Sequence, residues 1–436
     1  MSSLQVSPWI REMGVRDRLP PFKGERKTDV TVVGGGIAGM STVYHLLLQT
    51  DLDVTLLEKD MIGRGSSGRN GGQGVAVLEK SFKQLALTSS EEVIAALLNE
   101  LETGYWRLRE ICQKVEYIGG PIETVAWTGL SSMKEIDNYL EEMSLRRRFG
   151  APERSLIIAE EVAPDVFIPP ELVDQVSTRR ATEIKELLQT KESYQAVYPT
   201  PVSLVNSGRL SQVIAGHLLR QYPDRFHPFE GSPVWDIDLR GTPTLTTDEG
   251  TVRTRTVVLC TNGYPLPRIV SEHRSQVEGS IQRYVASMVA YEVSSKERPG
   301  AFIYFHEEGD PIEEPYFYLT RRPFLVTGRD LIAVGGPQID FSGTIDHNAE
   351  YPTGVYDRIE SFVKRSYPIE LPDDPSMTWN GLMGYTPDGL RIVGPDPRSS
   401  KLWYNLGCNG VGLLPSIVGG WKVAQAMHDV GLIDGV

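Results

Sequence analysis

Cysteine is scarce: the 436-residue chain holds three, Cys112, Cys260 and Cys408. An odd, widely spaced set builds neither a disulfide framework nor a zinc site, and it fits a reducing compartment. The seven histidines form no H-x-x-x-H pair, so no metal is expected. No apolar run reaches membrane-spanning length, and the opening MSSLQVSPWIREMG lacks an apolar signal core. A cytoplasmic protein with no integral membrane segment is therefore expected. Positive charge is in deficit, 44 Lys and Arg against 57 Asp and Glu, for a formal net charge of −13. Nucleic acid is thus not an expected partner, because its phosphates demand clustered cations. The only basic run, Arg146-Arg147-Arg148, reads as a solvated helix face.

What is present is a soluble composition, 40% hydrophobic and 23% charged, in a chain long enough for two interleaved domains. The segment TDVTVVGGGIAG, from Thr28 to Gly39, reads as a buried strand, a glycine-rich turn and a helix. Gly34, Gly36 and Gly39 fill the G-x-G-x-x-G pattern. The first permits the tight turn, the second lets a pyrophosphate approach the backbone, and the third lets the helix pack on the strand. Ile37 and Ala38 open the helix, whose N–H groups and positive end face the phosphates. A second strand, DVTLLE, ends at Glu58, 19 residues past Gly39. There an acidic side chain bonds ribose hydroxyls, with Lys59 beside it. Strand, turn, helix, strand and acid together predict dinucleotide binding, against the bare alternative of a tight turn.

Beyond this unit the chain alternates between helical and strand-like spacing. Residues 1–27 read as an arm whose Trp9 docks on the body. IGRGSSGRNGGQG, Ile62 to Gly74, is too rich in Gly and Ser for anything but a loop. Helices are expected near 91–115, 136–149, 208–221, 356–367 and 417–430, and 155–201, broken by prolines, reads as irregular. From 281 to 335 strand-like runs follow one another without helices, the pattern of an antiparallel sheet.

Three ordered segments resemble the D-amino-acid-oxidase-like flavoenzymes, the group of glycine, sarcosine and gamma-glutamylputrescine oxidases. They are DVTVVGGGIAGMSTVYHLL with LLEKD, the loop SGRNGGQ, and GYTPDGLRIVGPD followed by LWYNLGCNGVGLLPSIVGG. TVVLCTNGY is similar to a further family strand. The resemblance implies an α/β fold: a Rossmann-like FAD-binding domain (28–115, 201–268 and 376–436) with an interleaved antiparallel-sheet substrate domain (116–200 and 269–375). It also implies FAD rather than NAD. Ser66, Ser67, Arg69, Asn70, Gly71, Gly72 and Gln73 would run beside the flavin and pyrophosphate, with Arg69 or Asn70 as donors or Arg69 as a loop brace. Val234 would meet adenine by its backbone, and Thr261, Asn262, Gly263 and Gly384 would flank the cofactor. Asn409, Gly410, Val411, Gly412 and Leu413 would offer N–H groups to the flavin's pyrimidine edge, where charge grows on reduction. The attachment positions some relatives use hold neither His nor Cys, so the FAD is expected to be non-covalent. Cys408 reads as a small packing residue.

Hydride transfer from an amine-bearing carbon to flavin N5 needs orientation more than an acid–base pair. The resemblance implies FAD-dependent oxidation of the C–N bond of an amine or amino acid, giving an imine and then a carbonyl. In PYFYLTRRPF, alternation places Tyr316, Tyr318 and Thr320 on one face and Phe317, Leu319 and Arg321 on the other. The resemblance aligns a carboxylate-binding arginine to Arg321, with Arg322 as rival and a surface ion pair as the alternative. Tyr316 and Tyr318, with Tyr264 and Tyr385, would line an aromatic pocket unless they simply pack the core. Met383 stands where glycine oxidases carry a second arginine, which favours a longer or less anionic amine. Ala333 stands where sarcosine oxidases place an oxygen-activating lysine, so the acceptor is oxygen or another carrier. A flavin subunit or sensor that needs a partner for catalysis, or a homo-oligomer, stays open.

Overall fold

The computed structural model describes residues 5–77, 82–294, 298–305, 316–368 and 370–429. In chain order these form helix α1 (Pro8–Met13), strand β1 (Gly24–Val33), α2 (Ile37–Gln49), β2 (Val54–Leu57) and β3 (Gln73–Val75). Then come α3 (Phe82–Ala86), α4 (Glu91–Lys114), β4 (Ile122–Leu130), α5 (Met133–Arg148), β5 (Leu156–Ala159), β6 (Val176–Arg179), α6 (Ala181–Leu188) and β7 (Ala196–Leu204). The second half has α7 (Ser207–Gln221), β8 (Phe226–Phe229), β9 (Asp236–Asp238), β10 (Thr244–Thr246), β11 (Gly250–Leu259) and β12 (Arg268–Val270). It continues with β13 (Gln282–Val293), β14 (Gly300–Phe305), β15 (Tyr316–Pro323), β16 (Asp330–Asp340), α8 (Val355–Ser366), β17 (Met377–Tyr385), β18 (Ile392–Asp396), β19 (Ser399–Leu406) and α9 (Leu413–Asp429).

One sheet is built on a parallel core. β1 lies between β11 and β2, β8 extends the β2 side, and β19 pairs with the C-terminal half of β11. β1 and β2 are continuous apolar runs because both faces are covered. Helices α2, α7 and α9 pack Val32, Val43, Leu46, Ile214, Ile417 and Val423 into one core. β11 changes partner along its length, pairing antiparallel with β10 before it meets β19.

The second sheet runs β17-β13-β16-β15-β14-β4-β7-β5-β6, with β3 on β7. The expected antiparallel run corresponds to β13, β16 and β15 with β14 beyond them. The sheets do not follow the sequence division everywhere. β3 and β17, which the sequence division put in the dinucleotide unit, pair with β7 and β13 of this second sheet. The stretch 155–201 also holds strands and a helix instead of irregular chain. The prolines of β7 explain the misreading. Pro199 and Pro201 face Trp127 and Val125 of β4. On the other edge β5 pairs only at residues 196–197 and β3 only at 202–204. Two residues apart, both prolines turn their nitrogens to the same uncovered edge, where no donor is missed.

Candidate active site

The glycine turn packs as its sequence requires. Gly34 has φ +107°, and a Cβ on Gly39 would stand 1.9 Å from the Gly34 carbonyl oxygen. The first helical bond of α2 runs from Met40 N–H to Gly36 O, which leaves the N–H groups of Ile37, Ala38 and Gly39 at the helix mouth. Ser67 Oγ accepts from Ile37 N–H at 2.8 Å. Glu58 is buried at the end of β2 and accepts from Gly35 N–H at 2.6 Å and Asp60 N–H at 2.8 Å. Burial pushes its carboxyl up against these two bonds. Val234 lies in the chain that follows β8, packed against the core cluster that holds Val33 and Leu57, while Ser232 N–H reaches Glu58 O. Lys59 Nζ sits 3.9 Å over the Tyr264 ring.

The loop 66–73 is clasped between the two sheets. Thr320 Oγ1 donates to Gly71 O at 2.6 Å, and Gln73 Nε2 donates to Leu319 O and Thr320 Oγ1. Trp379 Nε1 donates to Arg69 O, and Ser66 Oγ donates to Leu382 O. The Tyr318 ring lies against Gly71 and Gly335, either of which would strike it with a Cβ. From the other side α1 holds the loop: Trp9 Nε1 donates to Asn70 O and Ser7 Oγ to Gly68 O. Trp9 is fully buried in one cluster with Met288, Ala333, Trp379 and Tyr318.

Several expected roles change. Asn70 is a brace: its Nδ2 donates to Ser207 Oγ and Ser67 O, and its Oδ1 accepts from Gly72 N–H. Arg69 keeps one long bond, to Gly65 O at 3.4 Å. Arg321 faces away from Tyr318 and Thr320, as strand alternation dictates. Its guanidinium donates to Arg298 O, Gln189 Oε1 and the Tyr367 hydroxyl. That is a structural role on the far face of the sheet, not a hand held out to a substrate beside the loop. Arg322 takes the loop face but is bound to Glu12 of α1 at 3.2 Å. The side chain of Tyr316 lies outside the described residues.

The closing loop is tied to the TNG turn. Asn262 Oδ1 accepts from Gly407 and Cys408 N–H, and its Nδ2 donates to Cys408 Sγ at 3.0 Å. Asn409 N–H donates to Gly384 O, and Val411 N–H donates to Asn409 O. The donors this turn can offer a flavin are thereby confined to Gly410, Gly412 and Leu413. Asn409 and Gly410 adopt φ +47° and +77°. Gly263 packs so closely on Met383 that a Cβ would meet its carbonyl oxygen at 2.4 Å.

Residues 29–426 match the family described as FAD dependent oxidoreductase. The chain belongs to that family. Over 61 residues this oxidoreductase is 48% identical to gamma-glutamylputrescine oxidoreductase of Escherichia coli strain K12, covering 12% of this chain and 14% of that one. Over 157 residues it is 43% identical to the probable oxidoreductase OrdL of Rhizobium meliloti, 34% of each. The chain thus matches 34% or less of these curated relatives. The crystal structure of L-proline dehydrogenase from P. horikoshii has the same fold, with TM-score 0.67 at 18% identity over 92% of this chain and 94% of that one.

The residues present fit FAD, the cofactor of this family. The glycine turn leaves no room for side chains. Thr261 Oγ1, next to the Cys260 carbonyl that crowds Gly34, is enclosed without a partner. Gly34, Gly36 and the mouth of α2 would hold the pyrophosphate, and Glu58 the ribose. Among the described residues no cluster of His, Cys, Asp and Glu is placed to hold a metal, and no helix is long and apolar enough to cross a membrane.

Sequence reasoning placed Thr320 on the Tyr318 face without giving it a role, and it missed Asn206, Trp379, His347 and Asn380 as parts of the site. His347 Nδ1 contacts Asn380 Oδ1 at 2.9 Å, and its Nε2 lies 3.4 Å from the Tyr264 hydroxyl. Burial, with Arg69 nearby, lowers the His347 pKa and favours the neutral ring. Burial raises the Tyr264 hydroxyl. His347 carries no local signal, because it stands in a loop 33 residues from the asparagine it meets.

Proposed function

We propose that this oxidoreductase oxidises the C–N bond of an amine or amino acid to an imine, which water hydrolyses to a carbonyl. Bound non-covalently, FAD supplies the two-electron acceptor. The observation that carries the reading is the clasp of the cofactor loop against an aromatic wall, Tyr318, Trp379 and Trp9, with Thr320 bonded directly to Gly71. Such a wall excludes water, and a desolvated amine gives up its proton more readily, so no dedicated strong base is required. Tyr318 would fix the substrate's orientation against the loop. The partial likeness to gamma-glutamylputrescine oxidoreductase supports an amine as substrate.

The acceptor is argued from Ala333. It packs with Trp9, Met288, Ala290 and Trp379, and its own strand, Asp330–Asp340, holds no lysine. That supports electron transfer to a carrier other than oxygen. The test is anaerobic absorbance of the purified yellow protein as amines and amino acids are added. Loss of the flavin band with one compound identifies the substrate class. Slow recovery in air, against rapid recovery with an artificial carrier, marks a dehydrogenase. No bleaching across the panel would defeat the reading in favour of a flavin subunit that needs a partner.

A further inference from the structure

Four successive carbonyls of the cofactor loop are each held by a side chain. Ser7 Oγ donates to Gly68 O, Trp379 Nε1 to Arg69 O, Trp9 Nε1 to Asn70 O and Thr320 Oγ1 to Gly71 O. The donors alternate between the α1 segment and the second sheet. A trans peptide turns its N–H opposite to its carbonyl. The N–H of Gly71 therefore points away from Trp9, and it has no partner among the described residues. By holding the Asn70 carbonyl, α1 sets the direction of a donor on the side of the loop that α1 does not cover.

The loop's own sequence gives it little order. Six of the thirteen residues from Ile62 to Gly74 are glycine, the residue that loses most freedom on folding. α1 fits it closely: a Cβ on Gly68 would stand 3.1 Å from Ile10 Cγ1, and one on Gly72 would stand 2.8 Å from the Trp9 ring. α1 is also built to move as a unit. Gly14, at its end, has φ +69°, a Cβ there would meet nothing within 4 Å, and Val15 is fully exposed. The next stretch is fastened separately. The buried Glu230 carboxylate accepts from Arg16 and from Leu19 N–H, and Ser232 Oγ accepts from Phe22 N–H.

Two partners that order one flexible segment bind cooperatively, because the first to arrive removes freedom that the second no longer has to remove. We propose that α1 is a strap linked to cofactor occupancy: it docks under the glycine loop cooperatively with FAD, and Trp9 is the positioning residue that orients the Asn70–Gly71 peptide. The proposal rests on reading residues 66–73 as the segment that runs beside the flavin. Linkage is reciprocal, so FAD tightens the docking of α1 by the factor by which docked α1 tightens the binding of FAD.

The experiment follows hydrogen exchange of the full chain, FAD-free and FAD-loaded, by mass spectrometry over residues 5–13 and 62–74. The N–H groups of Ile10 and Arg11 bond back to Ser7 within the first of these. FAD is expected to slow exchange there at least about tenfold, and Trp9→Ala, which removes the anchor of α1, should bind FAD more weakly by about the same factor. Trp9→Phe keeps a buried ring and loses the indole donor. With α1 still protected, it should shift the flavin absorption maximum, a readout that mere support of the loop would not move; an unshifted maximum removes Trp9 as a positioning residue. Protection of 62–74 by FAD with exchange over 5–13 unchanged overturns the strap and keeps the loop beside the flavin. Protection of neither segment overturns that reading and the strap with it. Should Trp9→Ala not fold, Ser7→Ala carries the same comparison, since it removes the other bond from the α1 segment to the loop. In it, FAD affinity and the protection that FAD gives α1 must fall together, and a fall in one alone defeats the proposal.

Discussion

The carboxylate of Glu12 and the guanidinium of Arg322 meet at 3.2 Å, with 0% and 1% of their side chains exposed. One belongs to the N-terminal helix and the other to β15 of the second sheet. Asn206 Nδ2 bonds both Trp9 O and Glu12 Oε2, and Arg322 lies 5.5 Å over the Trp9 ring. The pair therefore pins Trp9 under the cofactor loop. Glu12→Gln leaves a buried cation without its charge partner and is expected to cost about 3–5 kcal/mol. FAD affinity should fall with it, because the loop loses its lower support. Glu12→Leu combined with Arg322→Met should recover much of the stability, as apolar replacement of a whole buried pair commonly does. Urea unfolding and FAD titration check both; a Glu12→Gln protein of wild-type stability would refute the role given to the arm.

Arg321 makes the opposite case. Its guanidinium is consumed by Arg298 O, Gln189 and Tyr367, and it lies over the Phe302 ring at 5.8 Å. Arg321→Met should lose about 3 kcal/mol or more, since several charged hydrogen bonds go at once. The KM of a carboxylate substrate, measured below the lowered melting temperature, should stay as it was. A KM raised tenfold in a variant of unchanged stability would return Arg321 to the substrate.

Gly335 tests the placement of Tyr318. A Cβ there would stand 2.1 Å from Tyr318 Cζ, too close for the ring to remain. Gly335→Ala should cost about 1–3 kcal/mol through overpacking, and it should shift the flavin absorbance as the ring moves off the loop. Adding Tyr318→Ala removes the clash, so the double variant should be less perturbed in stability than the sum of the two singles. Additive losses would mean that the two residues do not meet.

Much of this arrangement was legible in the chain because it is local. The glycines of 34–39 and the acid at Glu58 are set by spacing along one strand–helix–strand unit, and the strand β2 ends where its apolar run stops. The closing turn declared itself by its glycines. The site between the sheets was harder to read, since it is made by contacts across long separations. Thr320 meets Gly71 across 249 positions, and Trp9 meets Asn70 across 61. Alternation already put Arg321 on the face opposite Tyr318 and Thr320, a local signal that outweighs alignment to a relative's arginine.

His45 supplies a pH test independent of the active site. It lies 6% exposed in α2, its Nε2 has no partner, and burial, with Arg107 nearby, draws its pKa down to about 3. The ordinary value is about 6.5, so between these limits the unfolded chain binds a proton that the folded protein refuses. The folded pKa is the lower one; the contribution to stability is therefore full above about pH 6.5 and is lost as pH falls towards 3. The slope approaches about 1.4 kcal/mol per pH unit. His45→Leu removes this proton uptake, so its stability relative to wild type should improve by about 2 kcal/mol between pH 6.5 and pH 5, whatever its offset at pH 7. Urea unfolding at a series of pH values measures this directly. Parallel curves for the two proteins would mean that His45 is protonated in the folded state and that water or an acidic neighbour reaches it.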